Sequence, residues 1–552
     1  MSGDAAVSVV IPAWNRADRI EGAILSALEQ EPKPLEIIVV DDGSTDGTDA
    51  GRLVALDARV RVIRHDANRG AAEARNTGVA AARGDWIAFL DSDDRWLPGK
   101  LARQLAQVAG AGEHRLFACG NVLLEGGAYD GRLYNARPPA EGEDISRYFL
   151  VHGCTFQTST LLVPADLARS LRFEGRVAPH EDWDFTLRLL KSGARFVYCH
   201  EPVAKYWDAA DPARASRRPS ITAVLAWLSA ARELIAPDAQ AALLHTTWQT
   251  CIGHGAADAP VSVVIPAYNR ADRIEDAIAS ALDQKPGPLE VIVVDDASTD
   301  GTDAARLGAL DPRVRVIRHD VNSGAAAARN TGIDAARGEW VAFLDADDRW
   351  LPGKLALQLL QAAAAGGRRA FVCSNVLLEG GARDGRLYNA RPPEEGEDLS
   401  RYFLLHHCTF HTSTLLVPAD LARSFRFRRK IRHEDWDFLL RLARDGVRFL
   451  YWHQPLARYW DAADPKRNTR RYSFEPTLYW LEVARDLIAP DAAVAYYFRE
   501  IYWIHRTRSP AAAALLGLRL ACRSPRAAAW LARKVLAAGR ERLFPGLQAR
   551  RP

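Results

Sequence analysis

The 552-residue sequence has no apolar run approaching the ~18 residues that a membrane-spanning helix needs, so no transmembrane segment is expected. Its start, Met1-Ser-Gly-Asp-Ala-Ala-Val7, lacks a basic segment followed by an apolar core, and no secretory signal is expected either. Cysteine is scarce and unpatterned: seven residues, at 119, 154, 199, 251, 373, 408 and 522, form no CxxC pair and no metal-ligand spacing. That argues against a disulfide scaffold or thiolate metal site and predicts small buried hydrophobes in a reducing compartment. A net charge of only +3 supplies no global field for nucleic acid. With 48% hydrophobic and 26% charged residues, the composition is that of a folded protein. The expected location is cytoplasmic, at most peripheral on the inner face of the plasma membrane.

The charge that is present is unevenly placed. Residues 505–552 hold eleven Arg or Lys against one acid, Glu541. Leu515, Leu516, Leu518, Leu520 and Trp530 are interleaved with these arginines, which fits an amphipathic element lying on an anionic membrane surface. Packing of this basic helical tail back onto the preceding domain fits equally well.

Length alone suggests about three or four domains, but a repeat decides the organisation. Val7-Ser-Val-Val-Ile-Pro12 recurs as Val261–Pro266, and residues 7–105 differ from 261–359 at only 20 of 99 positions. A period of about 250 residues is too long for a solenoid and implies two complete domains. The expected boundaries are 1–210 and 259–463 for the domains, 211–258 for a helical linker, 464–504 for a helical extension and 505–552 for the tail. Within each copy, β-branched apolar runs (Val7–Pro12, Leu35–Val40, Val60–Arg64, Trp86–Leu90) alternate with helical patterns around 20–28, from 48, at 70–82 and at 97–109. Alternation of this kind predicts an α/β fold with a mainly parallel sheet covered by helices. Further strands are expected near 116–124 and 160–164, and helices near 221–235 and 238–248.

Ligands of such sheets bind beyond the carboxyl ends of the strands, and two acidic clusters fall there. Asp41-Asp42 follows the second strand. Asp91-Ser-Asp93-Asp94 follows the fourth, repeated as Asp345-Ala-Asp347-Asp348. Three carboxylates in four residues repel one another unless a positive group joins them, and a hard divalent cation is the obvious candidate. The alternative is that Asp93 and Asp94 cap the helix expected near Leu97. A third cluster, His180-Glu-Asp-Trp183, recurs as His433-Glu-Asp-Trp436 at an amphipathic helix start, where the acids either work on a ligand or merely complement the helix dipole.

The strand Val-Ser-Val-Val-Ile-Pro-Ala-Trp/Tyr-Asn, the Val-Val-Asp-Asp-Gly/Ala-Ser-Thr-Asp-Gly-Thr segment, Ala74-Arg-Asn-Thr-Gly78 with its repeat Ala328–Gly332, the Asp-x-Asp-Asp loop and the later Glu-Asp together resemble glycosyltransferase family 2, of GT-A fold. The resemblance covers about 5–210 and 259–463. It implies two tandem Rossmann-like domains, each transferring sugar with inversion from a nucleotide-diphospho-sugar, UDP-sugar favoured, to a saccharide or lipid-linked acceptor. It also implies a divalent cation, Mn²⁺ or Mg²⁺. Carried over by position, Pro12, Trp14, Asn15, Asp42 and Asp91, with Pro266, Tyr268, Asn269, Asp296 and Asp345, would bind the donor. Asp93 and Asp347 would hold the metal, and Asp182 and Asp435 would be the bases. Arg75 and Arg329 either reach phosphate or stay solvated on their Ala-rich helices; Tyr206-Trp207-Asp208 and Tyr459-Trp460-Asp461 either shape an acceptor pocket or pack beneath the sheet. His180 and His433 either tune the bases or only hydrogen-bond near the helix start.

Two other readings compete. One copy could be a non-catalytic nucleotide- or carbohydrate-binding scaffold, although both retain every acid named. A nucleotidyltransferase would need a Gly-rich, Arg/Lys-containing loop after the first strand, which is missing. Between the copies, Glu174-Gly-Arg-Val-Ala-Pro179 becomes Arg428-Arg-Lys-Ile-Arg432, so the second copy is expected to meet a more acidic acceptor or surface. Sedimentation with anionic vesicles, full chain against residues 1–504, separates the two readings of the tail: loss of binding on truncation supports the membrane, unchanged binding the packed tail.

Overall fold

The computed structural model describes residues 6–110, 115–127, 129–175, 180–208, 221–251, 258–367, 369–394, 396–406, 408–431, 433–461, 475–498, 510–529 and 532. Residues 505–509, 530–531 and 533–552 of the expected tail lie outside them, as do 211–220 and 252–257 of the expected linker and 464–474 and 499–504 of the expected extension. Two units divide the chain, Met1–Ile252 and Gly253–Pro552. Each contains one eight-stranded mixed sheet with the same strand order.

In the first copy the strands are β1 (Val7–Ala13), β2 (Glu36–Asp41), β3 (Val60–Arg64), β4 (Trp86–Phe89), β5 (Arg95–Trp96), β6 (Leu116–Glu125), β7 (Leu162–Pro164) and β8 (Arg195–Trp207). Their order across the sheet is β3-β2-β1-β4-β7-β6-β8-β5. The β3-β2-β1-β4 half is parallel, β7 runs antiparallel to both its neighbours, and β6 and β8 pair in parallel. Every residue of β1 and β2 is buried. Such continuous burial is why these strands read as unbroken β-branched runs rather than alternating ones. The sequence missed the two-residue β5 and the 13-residue β8, whose pairing with β6 shifts register around Asn121.

Helices α1 (Ile20–Leu28), α2 (Ala50–Val54), α3 (Ala71–Ala81) and α4 (Lys100–Gly110) are followed by α5 (Ile145–Leu150), α6 (Ala165–Leu171) and α7 (Glu181–Lys191). Asp49 caps α2, its Oδ1 accepting the amides of Gly51 at 2.8 Å and Arg52 at 3.3 Å. Helix α3 lies so close to β1 that a Cβ on Gly78 would sit 2.3 Å from Val10 Cγ1, and Gly332 meets Val264 at the same distance. That contact fixes the height of α3 over the sheet. Phe89, Phe173 and Phe185 knit β4 to the segment after α6 and to α7, with Phe173 and Phe185 stacked at 4.1 Å. Two later helices, α8 (Ile221–Ala230) and α9 (Pro237–Cys251), close the unit, and α8 buries Trp227 completely against His180. Cys119, Cys154, Cys199, Cys373 and Cys408 are buried, as expected; Cys251 and Cys522 are exposed.

One core residue contradicts its own chemistry. Lys100 is fully buried, its Nζ has no hydrogen-bond partner among the described residues and lies 4.0 Å from the Trp96 ring centre; Lys354 repeats this against Trp350. Burial pushes both ammonium groups well below their usual range. A lysine depressed on folding costs stability as pH falls from the ordinary lysine range, about 10.4, toward the folded value. Lys100→Met and Lys354→Met should therefore each raise the melting temperature, by about 2–4 °C for a gain of roughly 1 kcal/mol, with the gain shrinking as pH approaches 10. Thermal scans between pH 7 and 10 check this, and a uniform loss of stability overturns it.

Candidate active site

The register of the parallel half brings the acidic clusters together. Ala13 pairs with Asp41, and the amide of Asp42 donates to Ala13 O at 2.8 Å. Val10 pairs with Phe89, and the Leu90 amide donates to Val10 O at 3.1 Å. Trp14, Asp42 and Asp91 therefore leave adjacent strands on one edge of the sheet. Pro12 is buried within β1, whereas Trp14 is 44% exposed and Tyr268, after Pro266, 46%. An indole or phenol held at a strand end and left open is a ready stacking surface. Asn15 and Asn269 take left-handed backbone conformations, φ 53° and 54°, and their Oδ1 atoms accept the amides of Thr45 and Thr299 at 2.8 and 2.7 Å. These bonds pin the loop after β2 against the end of β1.

Asp42 is buried and heavily occupied. Its carboxylate accepts the amides of Arg69 and Gly70, at 2.9 and 2.7 Å, and meets His65 Nδ1 at 2.6 Å, while His65 Nε2 reaches Thr77. Asp296 repeats this with Ser323, Gly324 and His319. Asp42 thus closes the turn into α3.

Arg75 is the residue that links the remaining acids. It is neither solvated nor free for phosphate: only 6% of its side chain is exposed, Nη2 donates to Asp91 Oδ1 at 2.8 Å and Nη1 to Glu181 Oε1 at 3.2 Å. Arg329 does the same with Asp345 and Glu434 at 2.8 and 3.3 Å. The flanking carboxylates hold both guanidinium groups above their ordinary value despite burial. Glu181, for which the sequence left open a ligand role or a helix-dipole role, ties α7 to the loop after β4 through Arg75. Asp93 pairs with Arg16 at 3.7 Å, and Asp347 with Arg270 at 3.5 Å.

Asp94 does not cap a helix. Helix α4 starts only at Lys100, and the Asp94 carboxylate instead accepts Ser159 Oγ at 2.6 Å and the Trp207 amide at 3.0 Å. Burial, with Asp93 and Asp91 beside it, pushes Asp94 well above the usual carboxylate range. Asp348 behaves identically with Ser413 and Trp460. Trp207 packs under Arg19, 3.5 Å from its ring centre, and a Cβ on Gly126 would lie 2.4 Å from the ring. The aromatic segment thus packs as part of the wall.

Asp182 stands half-buried in the first turn of α7, its Oδ1 accepting the next amide, Trp183 N, at 2.8 Å. Burial and the charge of Glu181 raise its carboxyl to about 7; burial and Glu434 raise Asp435 likewise to about 7. A carboxylate with that affinity for protons suits a general base at neutral pH. His180 stacks on Trp183 and Trp227, and burial lowers it to about 4, so it stands neutral beside Asp182.

The donor set suits a hard cation. Asp91 and Asp93 offer oxygen alone, and Glu181 Oε2 is buried without a hydrogen-bond partner among the described residues. No group of three or more ligating side chains is preassembled among the described residues. Two carboxylates can still share a cation that completes its shell with phosphate and water.

Sheet order, with acids at the strand ends and at the start of a returning helix, defines two tandem GT-A domains. The chain belongs to glycosyl transferase family 2, whose model matches residues 8–165 and 262–421. It is 28% identical over 393 residues to an uncharacterized glycosyltransferase of Rickettsia felis, covering 64% of this chain and 63% of that one. The chain therefore spans less than two thirds of that relative. The amylovoran biosynthesis glycosyltransferase AmsB of Erwinia amylovora is 30% identical over 237 residues, 41% of this chain and 78% of AmsB. The Escherichia coli UDP-Glc:alpha-D-GlcNAc-diphosphoundecaprenol beta-1,3-glucosyltransferase WfaP is 31% identical over 189 residues, 34% of this chain and 72% of WfaP. No helix among the described residues is long and apolar enough to cross a membrane.

An aspartate raised on folding costs stability above the unfolded value, about 3.9, and the full cost is present above about pH 7. Asp182→Asn should therefore melt a few degrees higher than the parent at pH 8, with the difference vanishing near pH 4. Scanning calorimetry at both pH values tests this; a variant that melts lower at pH 8 would show that the charged carboxylate stabilises the fold.

Proposed function

We propose that each copy is an inverting transferase site that moves a sugar from a nucleotide-diphospho-sugar, UDP-sugar favoured, to a hydroxyl of a saccharide or lipid-linked acceptor in cell-surface glycan synthesis. The observation that carries this is the carboxyl of Asp182, and of Asp435, raised to about 7 beside the arginine that holds the donor-loop acid. Family membership and the names of AmsB and WfaP support the polymer and lipid-linked contexts.

In this reading the nucleoside base lies on Trp14 or Tyr268, in the cradle of Pro12, Asn15 and Asp42 or of Pro266, Asn269 and Asp296. For Asp42 to accept from the base edge it must share an oxygen now taken by a backbone amide or His65. Asp91 and Asp345 orient the donor, and Asp93 and Asp347 would hold Mn²⁺ or Mg²⁺. Such a cation would neutralise charge on the departing diphosphate. The acceptor hydroxyl oxygen attacks the anomeric carbon as its proton passes to Asp182 or Asp435. The bond to the diphosphate oxygen breaks on the opposite face, with its electron pair leaving on the nucleotide. Glu181 and Glu434, fixed by Arg75 and Arg329, keep negative charge beside the base and so maintain its proton affinity.

A second reading rests on a difference between the copies. His433 adopts a left-handed backbone, φ 60°, and its Nε2 meets Tyr496 OH at 2.6 Å; His180 has neither feature, and Leu243 stands where Tyr496 does. One copy could then turn over while the other binds donor or glycan.

Release of nucleotide from UDP-, GDP- and dTDP-sugars with Mn²⁺ or Mg²⁺ separates the readings. Asp182→Asn and Asp435→Asn should each remove part of the turnover, by about 10²–10⁴-fold at the altered site. Loss through one change alone makes the other copy a binding module. Below about pH 7 the parental rate should fall about tenfold per unit as the base protonates; a rate independent of pH in that range counts against Asp182 and Asp435 as bases.

A further inference from the structure

A cavity of about 530 Å³ opens in the second copy between the end of the strand Val314–Arg318, the helix Ala325–Ala335 and the segment that leads into the base helix. Its volume lies in the range of small-ligand sites. Arg318, His319, Asp320, Ser323, Arg426 and Arg429 line it. It borders the donor cradle through His319 and Ser323, both bonded to Asp296, but lies off the acids around Asp435: at about 100° per residue, Ala327 and Thr331, which also line it, stand roughly 160° around the helix from Arg329.

Its charge is arranged unlike that of the first copy. Arg318 is held by Asp295 and by Ser298 O, and Arg426 pairs with Asp334 at 2.6 Å, so both are fixed in place. Arg429 is exposed and forms no ion pair among the described residues. In the first copy Glu73 stands where Ala327 is, 3.8 Å from Arg172, and Gly175 stands where Arg429 is. The acid has left the lining: Asp334, which replaces Ala80, now neutralises the arginine from outside the cavity. Ser323 in place of Arg69 gives up one cation but adds a hydroxyl. What remains is a concave wall with guanidinium groups on two sides and one acid, Asp320.

We propose that this cavity is an anion site of the second copy that holds a sugar-borne phosphate or carboxylate of the acceptor, away from the bond being formed. Guanidinium forks match both oxyanions and bind them more strongly than neutral donors do. The segment 426–431 runs from the cavity to the helix carrying Asp435, so remote binding there can orient the acceptor hydroxyl at the base. The saccharide part rests on the transferase reading; the anion site does not.

Calorimetric titration of the full chain at low salt with inorganic phosphate, glucose 1-phosphate and glucuronate tests it, beside Arg429→Gly and Ala327→Glu, which install first-copy residues. One saturable site is expected for a sugar-borne probe, weakened about tenfold in each variant and by added salt, with nucleotide release from the donor unchanged. Tightest binding by inorganic phosphate overturns the saccharide assignment. Absence of saturable binding, or equal binding by the parent and both variants, overturns the site. Failure of nucleotide release in the parent counts against the transferase reading and leaves the titration to decide the anion site.

Discussion

The pairing of Arg75 with Asp91 on one side and Glu181 on the other is the constraint on which the site depends. Asp91 belongs to the loop after β4, and Glu181 opens a helix ninety residues later. A guanidinium buried between them fixes that distance and keeps two like charges tolerable in a crevice that is partly shielded from water. Breaking a buried pair by removing one partner is far costlier than the pair is stabilising, because the charge left behind has no solvent. The site therefore depends on this arginine more for geometry than for net stability.

Charge that the arginines do not balance is managed by protonation. Asp94 is driven toward its neutral form by burial, so it serves as a hydrogen-bonding tie to Ser159 and Trp207. Asp182 sits between these extremes, with Arg75 pulling its proton affinity down and burial and Glu181 pushing it up. Four aspartates in one crevice thus take three states: paired at Asp91 and Asp93, driven toward the neutral form at Asp94 and poised at Asp182. Identity of residue type does not determine role; solvent and the nearest guanidinium do.

That is also where sequence reading stops. The β-branched runs and their spacing made the parallel half of the sheet legible, because burial on both faces leaves a local signature, and the register then put Trp14, Asp42 and Asp91 on one edge. Long-range pairings leave no such mark. Arg75 lies on an Ala-rich helix and looks solvated until Glu181, 106 residues away, closes over it. Asp94 is indistinguishable from Asp93 by neighbourhood, yet its partners are 65 and 113 residues away. Strand β8 was hidden because its pairing with β6 shifts register at Asn121, which breaks the alternation that would announce it.

Duplication supplies an internal control on what each part is for. The acids, the bridging arginine, the buried lysine and the serine tie are the same in both copies, and their distances agree to about 0.1 Å: 2.8 and 2.8 Å for the arginine to the donor-loop acid, 3.2 and 3.3 Å to the glutamate. Among the changes around them are a tyrosine in place of a leucine on the histidine before Asp435, and an acid moved off one flank of the arginine helix. Shared central electrostatics with different outer polar contacts fit the proposal above, in which one chemical step is repeated on different partners. A copy drifting toward a purely structural role would have no reason to keep a half-buried aspartate raised to about 7, because such a group destabilises the fold at neutral pH. Its retention in the second copy, beside an intact Arg329 bridge, therefore weighs toward turnover at both sites.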